Sequence, residues 1–271
     1  MKKLFAFLSL TVCGALSAQN IAEPDSRESR FRELDSLLTN LYFIYQPESN
    51  DAKFSELDKL IEMCGDSLTR QHMTLQIFDH YSQSKVMGEE EVAIKVYDKW
   101  ILPGTVKTRS AFESVEKQIF VDFNRNSLVG MRAPEIRLSK PNGGSIFVPE
   151  RGKIAILFFY ATDCMKCKLE WEFMPEVLER INLPVNFYAV NCSNDRELWD
   201  SFINNFKVRN RKISVKHLWD PTMDSEYQKL YGVTGTPKIF VILDDGEIIG
   251  RRLELENLYE IFIFIDKLYE R

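Results

Sequence analysis

Apolar positions recur at helical spacing through the first half of the chain. In the second half they alternate or run unbroken. Phe31, Leu34, Leu37, Leu38 and Leu41, then Phe43 and Tyr45, fall close to three or four residues apart, and Phe54, Leu57, Leu60 and Ile61 repeat the interval. Pro47 and Asn50-Asp51 punctuate between these two stretches. Residues 67–84 place Leu68, Met73, Leu75, Ile77 and Phe78 on a broad apolar face. Residues 89–100 and 110–123 read as further helices separated by Pro103-Gly104. Period-two alternation is scarce here, so residues 19–126 are expected to form a small all-helical domain.

The pattern changes near Asn126. Residues 133–138 read as a short strand, Asn142-Gly143-Gly144 as a turn, and Ser145–Val148 as the hairpin partner. A strand over 153–160, a helix over 164–180 and a strand over Val185–Asn191 follow, with Pro184 marking the return. Strand, helix and strand in that order make a parallel crossover unit. A helix over 195–206, an extended piece over 215–219 and a short helix over 225–231 come next. A strand over 238–243, the turn Asp244-Asp245-Gly246, a strand over 247–253 and a helix over 258–268 complete the chain. The expected class is α/β: a mixed sheet flanked by helices over 127–271, preceded by an all-α domain.

A length of 271 residues accommodates two such domains. A formal charge of -5, with no dense Lys/Arg cluster to offset it, argues against a nucleic-acid partner. The N-terminus reads as an export signal over residues 1–18. Lys2 and Lys3 precede the apolar stretch 4–12, and the small residues Ala15, Ser17 and Ala18 offer cleavage after Ser17 or Ala18. The apolar stretch is too short to span a bilayer, which favours removal over anchoring. Cys13 opens a lipoprotein alternative, which Leu10-Thr11-Val12 matches poorly because the residue before such a cysteine is normally small. The expected location is therefore the periplasm or cell envelope.

Export changes how the cysteines read. Cys64, Cys164, Cys167 and Cys192 remain after the signal, too sparse a set for a stapled scaffold, so the close pair reads as reactive. Cys164-Met165-Lys166-Cys167 lies at a strand-to-helix junction. There the first thiol meets unpaired backbone N–H groups, which favour a thiolate, and the second lies one helical turn away. A thiolate attacks disulfides, so the pair supplies a nucleophile and a resolving partner.

Three segments, in this order, resemble the thioredoxin superfamily, specifically its exported TlpA/ResA-like branch. They are Gly130-Met131-Arg132-Ala133-Pro134-Glu135, the stretch from Phe158 through Cys167, and Tyr231-Gly232-Val233-Thr234-Gly235-Thr236-Pro237. The resemblance covers residues 127–271 and implies a thioredoxin-like fold. It implies Cys164 as nucleophile, Cys167 as buried resolving thiol, and Pro237 as a cis-proline packed against the disulfide. Thr236, Met165, Lys166 and Asp163 would border a bound substrate segment, with a backbone edge at Thr236-Pro237 available to pair with it. Glu170, three residues after Cys167, matches a glutamate of ResA-like reductases that would tune thiol ionisation or relay a proton; its bland reading is a solvated helix residue.

This chain departs from the family pattern in several places. Asp163 replaces the usual tryptophan; its carboxylate would oppose thiolate formation or else cap the helix. Phe158 stands where thioredoxin has a buried acid, and Glu172 stands where a proline is usual, with Pro175 three residues later. Lys166 and Lys168 bring positive charge beside the thiols. Cys192 ends a strand expected to run beside the active-site strand, so it reads as a third thiol at the same sheet edge or as an inert one. Cys64 reads as core.

The function implied is an exported thiol-disulfide oxidoreductase that reduces, or isomerises, disulfides of envelope proteins. It needs no cofactor beyond its redox-active disulfide. Its partners would be exported client proteins and a membrane thiol electron donor. A peroxide-reducing role is a rival, but Thr162 lies only two residues before Cys164 and no matching proline precedes it. A metal-handling role would use the same cysteines with Met165, but His72, His80 and His217 lie far away in sequence. Haem attachment would need histidine where Lys168 stands. A binding or adaptor role stays open because the helical domain carries no catalytic motif. That domain would recognise a partner, mediate a homodimer or shield the thiols.

Overall fold

The computed structural model describes residues 24–269; the expected export signal and Cys13 lie outside them. The chain divides into two compact units, Met1–Val121 and Asp122–Arg271. The division falls inside the last helix of the first half, five residues before the change of pattern in the sequence.

The first unit is helical among its described residues: α1 (Pro24–Tyr45), α2 (Asn50–Glu62), α3 (Ser67–Ser82), α4 (Glu90–Val96) and α5 (Ala111–Asn124). Ser49 caps α2 through the Ala52 amide at 3.3 Å, and Asp66 caps α3 through Leu68 and Thr69 at 3.0 and 2.8 Å. The helix expected over 89–100 is in fact α4 followed by a π-helical segment, Tyr97–Ile101, where the Leu102 amide reaches back to Tyr97 at 2.9 Å. Leu34, Leu57, Ile61, Ile77 and Val92 are buried in the unit's core. So is Cys64, whose thiol burial pushes up to about 11. A buried ion pair, Lys53 with Glu89 at 2.7 Å, joins the residue before α4 to α2. His72 and His80 are packing residues, stacked on Phe31 at 4.1 Å and on Tyr42 at 3.6 Å.

The second unit is built on seven strands: β1 (Ile136–Ser139), β2 (Ser145–Val148), β3 (Ile154–Tyr160), β4 (Val185–Asn191), β5 (Ile213–Trp219), β6 (Lys238–Ile242) and β7 (Ile248–Leu253). They form one mixed sheet in the order β2-β1-β5-β4-β3-β6-β7. β3, β4 and β5 run parallel; β6 is antiparallel to β3. Helices α6 (Met165–Glu179), α7 (Arg196–Asn205), α8 (Tyr227–Tyr231) and α9 (Leu255–Tyr269) complete it.

The central strands explain the unbroken apolar runs. Ile156, Phe158 and Tyr160 face a core shared with Cys167, Trp171 and Met174, while Leu157 and Phe159 face one shared with Tyr227 and Tyr231. A strand covered on both faces has no polar side to alternate with. β5 begins two residues earlier than expected because Ile213 and Ser214 pair with Val185 and Asn186 of β4. The first strand is shorter than expected: residues 133–135 lead into it, tied by the Ala133 amide to the Gly246 carbonyl at 2.9 Å.

Candidate active site

β3 and β4 are parallel and in register, with Tyr160 opposite Asn191, so both chains leave the sheet at one edge. The Cys192 amide donates to the Tyr160 carbonyl at 2.7 Å, extending the ladder by one step. Beyond it the two loops are tied together. The buried Thr162 hydroxyl lies 2.7 Å from that of Ser193, whose amide and hydroxyl reach the Asn191 carboxamide oxygen at 3.1 and 2.9 Å. The Trp219 indole N–H donates to the Ser193 carbonyl at 2.6 Å. This polar clamp holds the chain immediately before Cys164, and no motif in the sequence pointed to it.

Cys164 itself is the N-cap of α6. Its backbone is extended (φ -82°, ψ 120°), and its Sγ accepts the Cys167 amide N–H at 3.2 Å. Of the two readings of Asp163, the helix cap is therefore excluded. A cap side chain reaches amides two or three residues ahead of it. Cys164 sits three before the Cys167 amide, and Asp163 lies exposed one residue earlier. On its other side the Cys164 thiol donates to the Thr236 carbonyl at 3.5 Å. The Thr236–Pro237 peptide is cis, as is Val148–Pro149, which no sequence motif pointed to.

The two thiols are free and differ in environment. Cys164 is half-buried, whereas Cys167 is fully buried, and desolvation pushes its thiol up to about 12. Beneath the pair, Trp171 lies 4.7 Å from the Tyr160 ring, and the Tyr160 hydroxyl accepts the Trp199 indole N–H at 2.9 Å. Pro175 stands inside α6, where it has no N–H to offer the Trp171 carbonyl.

Glu170 is one turn beyond Cys167 on the same face and is buried, so it is no solvated surface glutamate. Its Oε2 has no hydrogen-bond partner, and its Oε1 lies 3.8 Å from the Lys166 ammonium. Burial raises its carboxyl to about 7, partly offset by Lys166. Lys166 in turn is bonded to Glu254, at the end of β7. Met165 stands on the rim with 71% of its surface exposed, and Lys168 is exposed as well.

Next to Cys164, between Asp163 and Thr236, opens a cleft of about 480 Å³, lined also by Cys192, Asn194, Tyr227 and Gln228. Cys192 is half-buried in its wall, and desolvation pushes its thiol up to about 12. The site thus gathers Cys164, Cys167, Glu170, Lys166, Thr236, Pro237 and Asp163 at one sheet edge, with Cys192 close by. Cys64, His72 and His80 belong to the other unit. Among the described residues, no group of three or more His, Cys, Asp or Glu side chains converges as a metal site would require. Nor is any described helix long and apolar enough to cross a membrane.

Residues 152–248 match the family model described as thioredoxin-like. Among solved structures, a thioredoxin-like protein from Bacteroides caccae superposes with a TM-score of 0.63 at 11% identity, over 90% of this chain and 85% of that one. The thioredoxin domain of a thiol-disulfide oxidoreductase from Bacteroides vulgatus matches 52% of this chain and 96% of its own, at 20% identity and a TM-score of 0.43. At 11% identity the first of these likenesses is one of fold alone. No curated protein matches the sequence.

Proposed function

We propose that the protein, whose residues 152–248 match a thioredoxin-like family model, is an exported thiol-disulfide oxidoreductase that reduces disulfides of envelope proteins. One observation carries the reading: an accessible thiol at a helix N-cap, with an amide aimed at its sulfur, directly precedes a fully buried partner thiol on the same helix. The accessible thiol is placed to attack, and burial keeps the proton on its partner.

The chemistry then follows in two exchanges. Cys164 thiolate attacks one sulfur of a client disulfide. The client S–S bond breaks, a mixed disulfide to Cys164 forms, and the other client sulfur leaves as a thiolate that takes a proton from water. Cys167 next gives up its proton and attacks Cys164 Sγ, closing the internal disulfide and expelling the second client thiolate. The client gains two electrons and the cysteine pair loses them. Glu170, with a carboxyl raised to about 7, is divided between acid and base forms near neutrality, which suits it to accept the Cys167 proton.

The cleft beside Thr236 supplies room for the client chain, and Asp163, Met165 and Thr236 border its approach to Cys164. A membrane thiol carrier restores the dithiol, because a protein outside the cytoplasm has no access to cytosolic reductants. The reading is tested by insulin reduction in dithiothreitol. Cys164→Ser is expected to abolish turnover, and Cys167→Ser to accumulate mixed disulfides detectable by mass. Undiminished turnover in Cys164→Ser would overturn it.

A further inference from the structure

The Lys166 ammonium has two carboxylates to choose between. It is bonded to Glu254 Oε2 and stands 3.8 Å from Glu170 Oε1. Glu170 is 7% exposed, and its other oxygen meets no donor. A buried carboxylate whose nearest cation stands 3.8 Å away and is shared with a competitor receives only part of the stabilisation that cation could give its ionised form. Both Lys166 and Glu254 are more than half exposed, so their pair contributes little to stability. Its consequence lies in where it leaves the ammonium.

We propose that Glu254 is a positioning residue for the redox site: by drawing Lys166 off Glu170, it keeps Glu170 a proton carrier rather than a permanent anion. The charges facing Glu170 are Lys166 on its own helix, Glu254 between β7 and α9, and Glu256 in the first turn of α9. Lys238 of β6 is near enough to Lys166 and Glu254 to feel both charges, and Arg251 and Arg252 of β7 act on Lys238 in turn. Removing Glu254 acts on Glu170 in two ways of the same sign. It deletes a neighbouring negative charge, and it frees Lys166 to close the 3.8 Å gap. The raised carboxyl of Glu170, at about 7, agrees with the arrangement. Cys167 sits one turn away and has to lose its proton after each attack on a client, so the ionisation of Glu170 bears directly on that step.

This inference rests on the dithiol reading for its consequence, but its test does not. The full chain, labelled at the glutamate carboxyl carbons, is titrated by NMR, with Glu170→Gln assigning the resonance. Glu254→Gln is expected to move the Glu170 midpoint down by about one pH unit. Glu254→Asp should restore much of the original midpoint. In a Lys166→Gln background the effect of Glu254→Gln should fall to less than half, because only the direct repulsion remains. An unmoved midpoint, or a shift of equal size with and without Lys166, would overturn the assignment. So would a lowered melting temperature with no change in the titration. Because no client or reductant enters the experiment, loss of insulin reduction in a separate assay cannot be confused with it.

Discussion

At the residue scale, what distinguishes the two active-site thiols is not their chemistry but their surroundings. Cys164 is half-buried, with the Cys167 amide aimed at its sulfur; Cys167 is fully buried, and desolvation outweighs the hydrogen bonding it receives from the Ala161 backbone. Glu170 shows the same principle in a carboxylate. Its ordinary value of 4.5 rises to about 7 because burial penalises its charged form. The sign of the linkage follows. Below pH 4.5 the group is neutral whether folded or unfolded and costs nothing. From 4.5 to about 7 the unfolded chain ionises first, so stability is lost as pH rises through that window. Glu170→Gln should therefore melt about 5 °C above the wild type at pH 8 and at the same temperature at pH 4, as read by calorimetry. The cysteines, the glutamate and the proline were all legible in the sequence, because motif spacing on a helix is itself a statement of geometry. Glu254 was not: its bond to Lys166 spans 88 positions and leaves no local pattern.

Elements obey the local rules where those rules act alone. The boundaries shift where the sheet decides. β5 gained residues through pairing with β4, and α9 starts at Leu255 rather than 258 because Leu255 itself is buried in the core beside Leu258. α8 is only five residues long, and it ends at Gly232 with φ +63°. A Cβ there would meet the Phe123 carbonyl oxygen at 2.4 Å and the Arg251 guanidinium at 3.2 Å. Both the backbone region and the contact demand glycine. Gly232→Ala is expected to cost at least about 2 kcal/mol, measured from the urea midpoint at unchanged slope. Because Gly232 leads into the Thr236–Pro237 turn, alkylation of Cys164 is the readout for any displacement carried to the thiol.

At the scale of the whole molecule, two units of different make share one chain. The helical unit follows from 3.6-residue periodicity, and the sheet unit from strand, helix and strand in the order that forces a parallel crossover. One half-buried residue ties the second unit's stability to acid. His217 on β5 packs 5.8 Å from Trp171 and 5.7 Å from Phe206, and burial lowers it from 6.5 to about 4. Its folded value is depressed, so its contribution is complete above pH 6.5 and is lost as pH falls toward 4. His217→Phe should escape about 2–3 kcal/mol of that loss between pH 7 and pH 4, by urea unfolding at the two pH values. Periodicity and punctuation were enough to establish the fold class, and the family resemblance of three short segments pointed to the thiol pair and the cis-proline, because each depends on residues close together in the chain. Only the folded sheet could decide that Cys164 caps its own helix in place of Asp163, that Thr162 locks to Ser193, and that Lys166 sits between Glu170 and Glu254. Those outcomes turn on desolvation and on distances between remote segments, and neither quantity exists until the strands have paired.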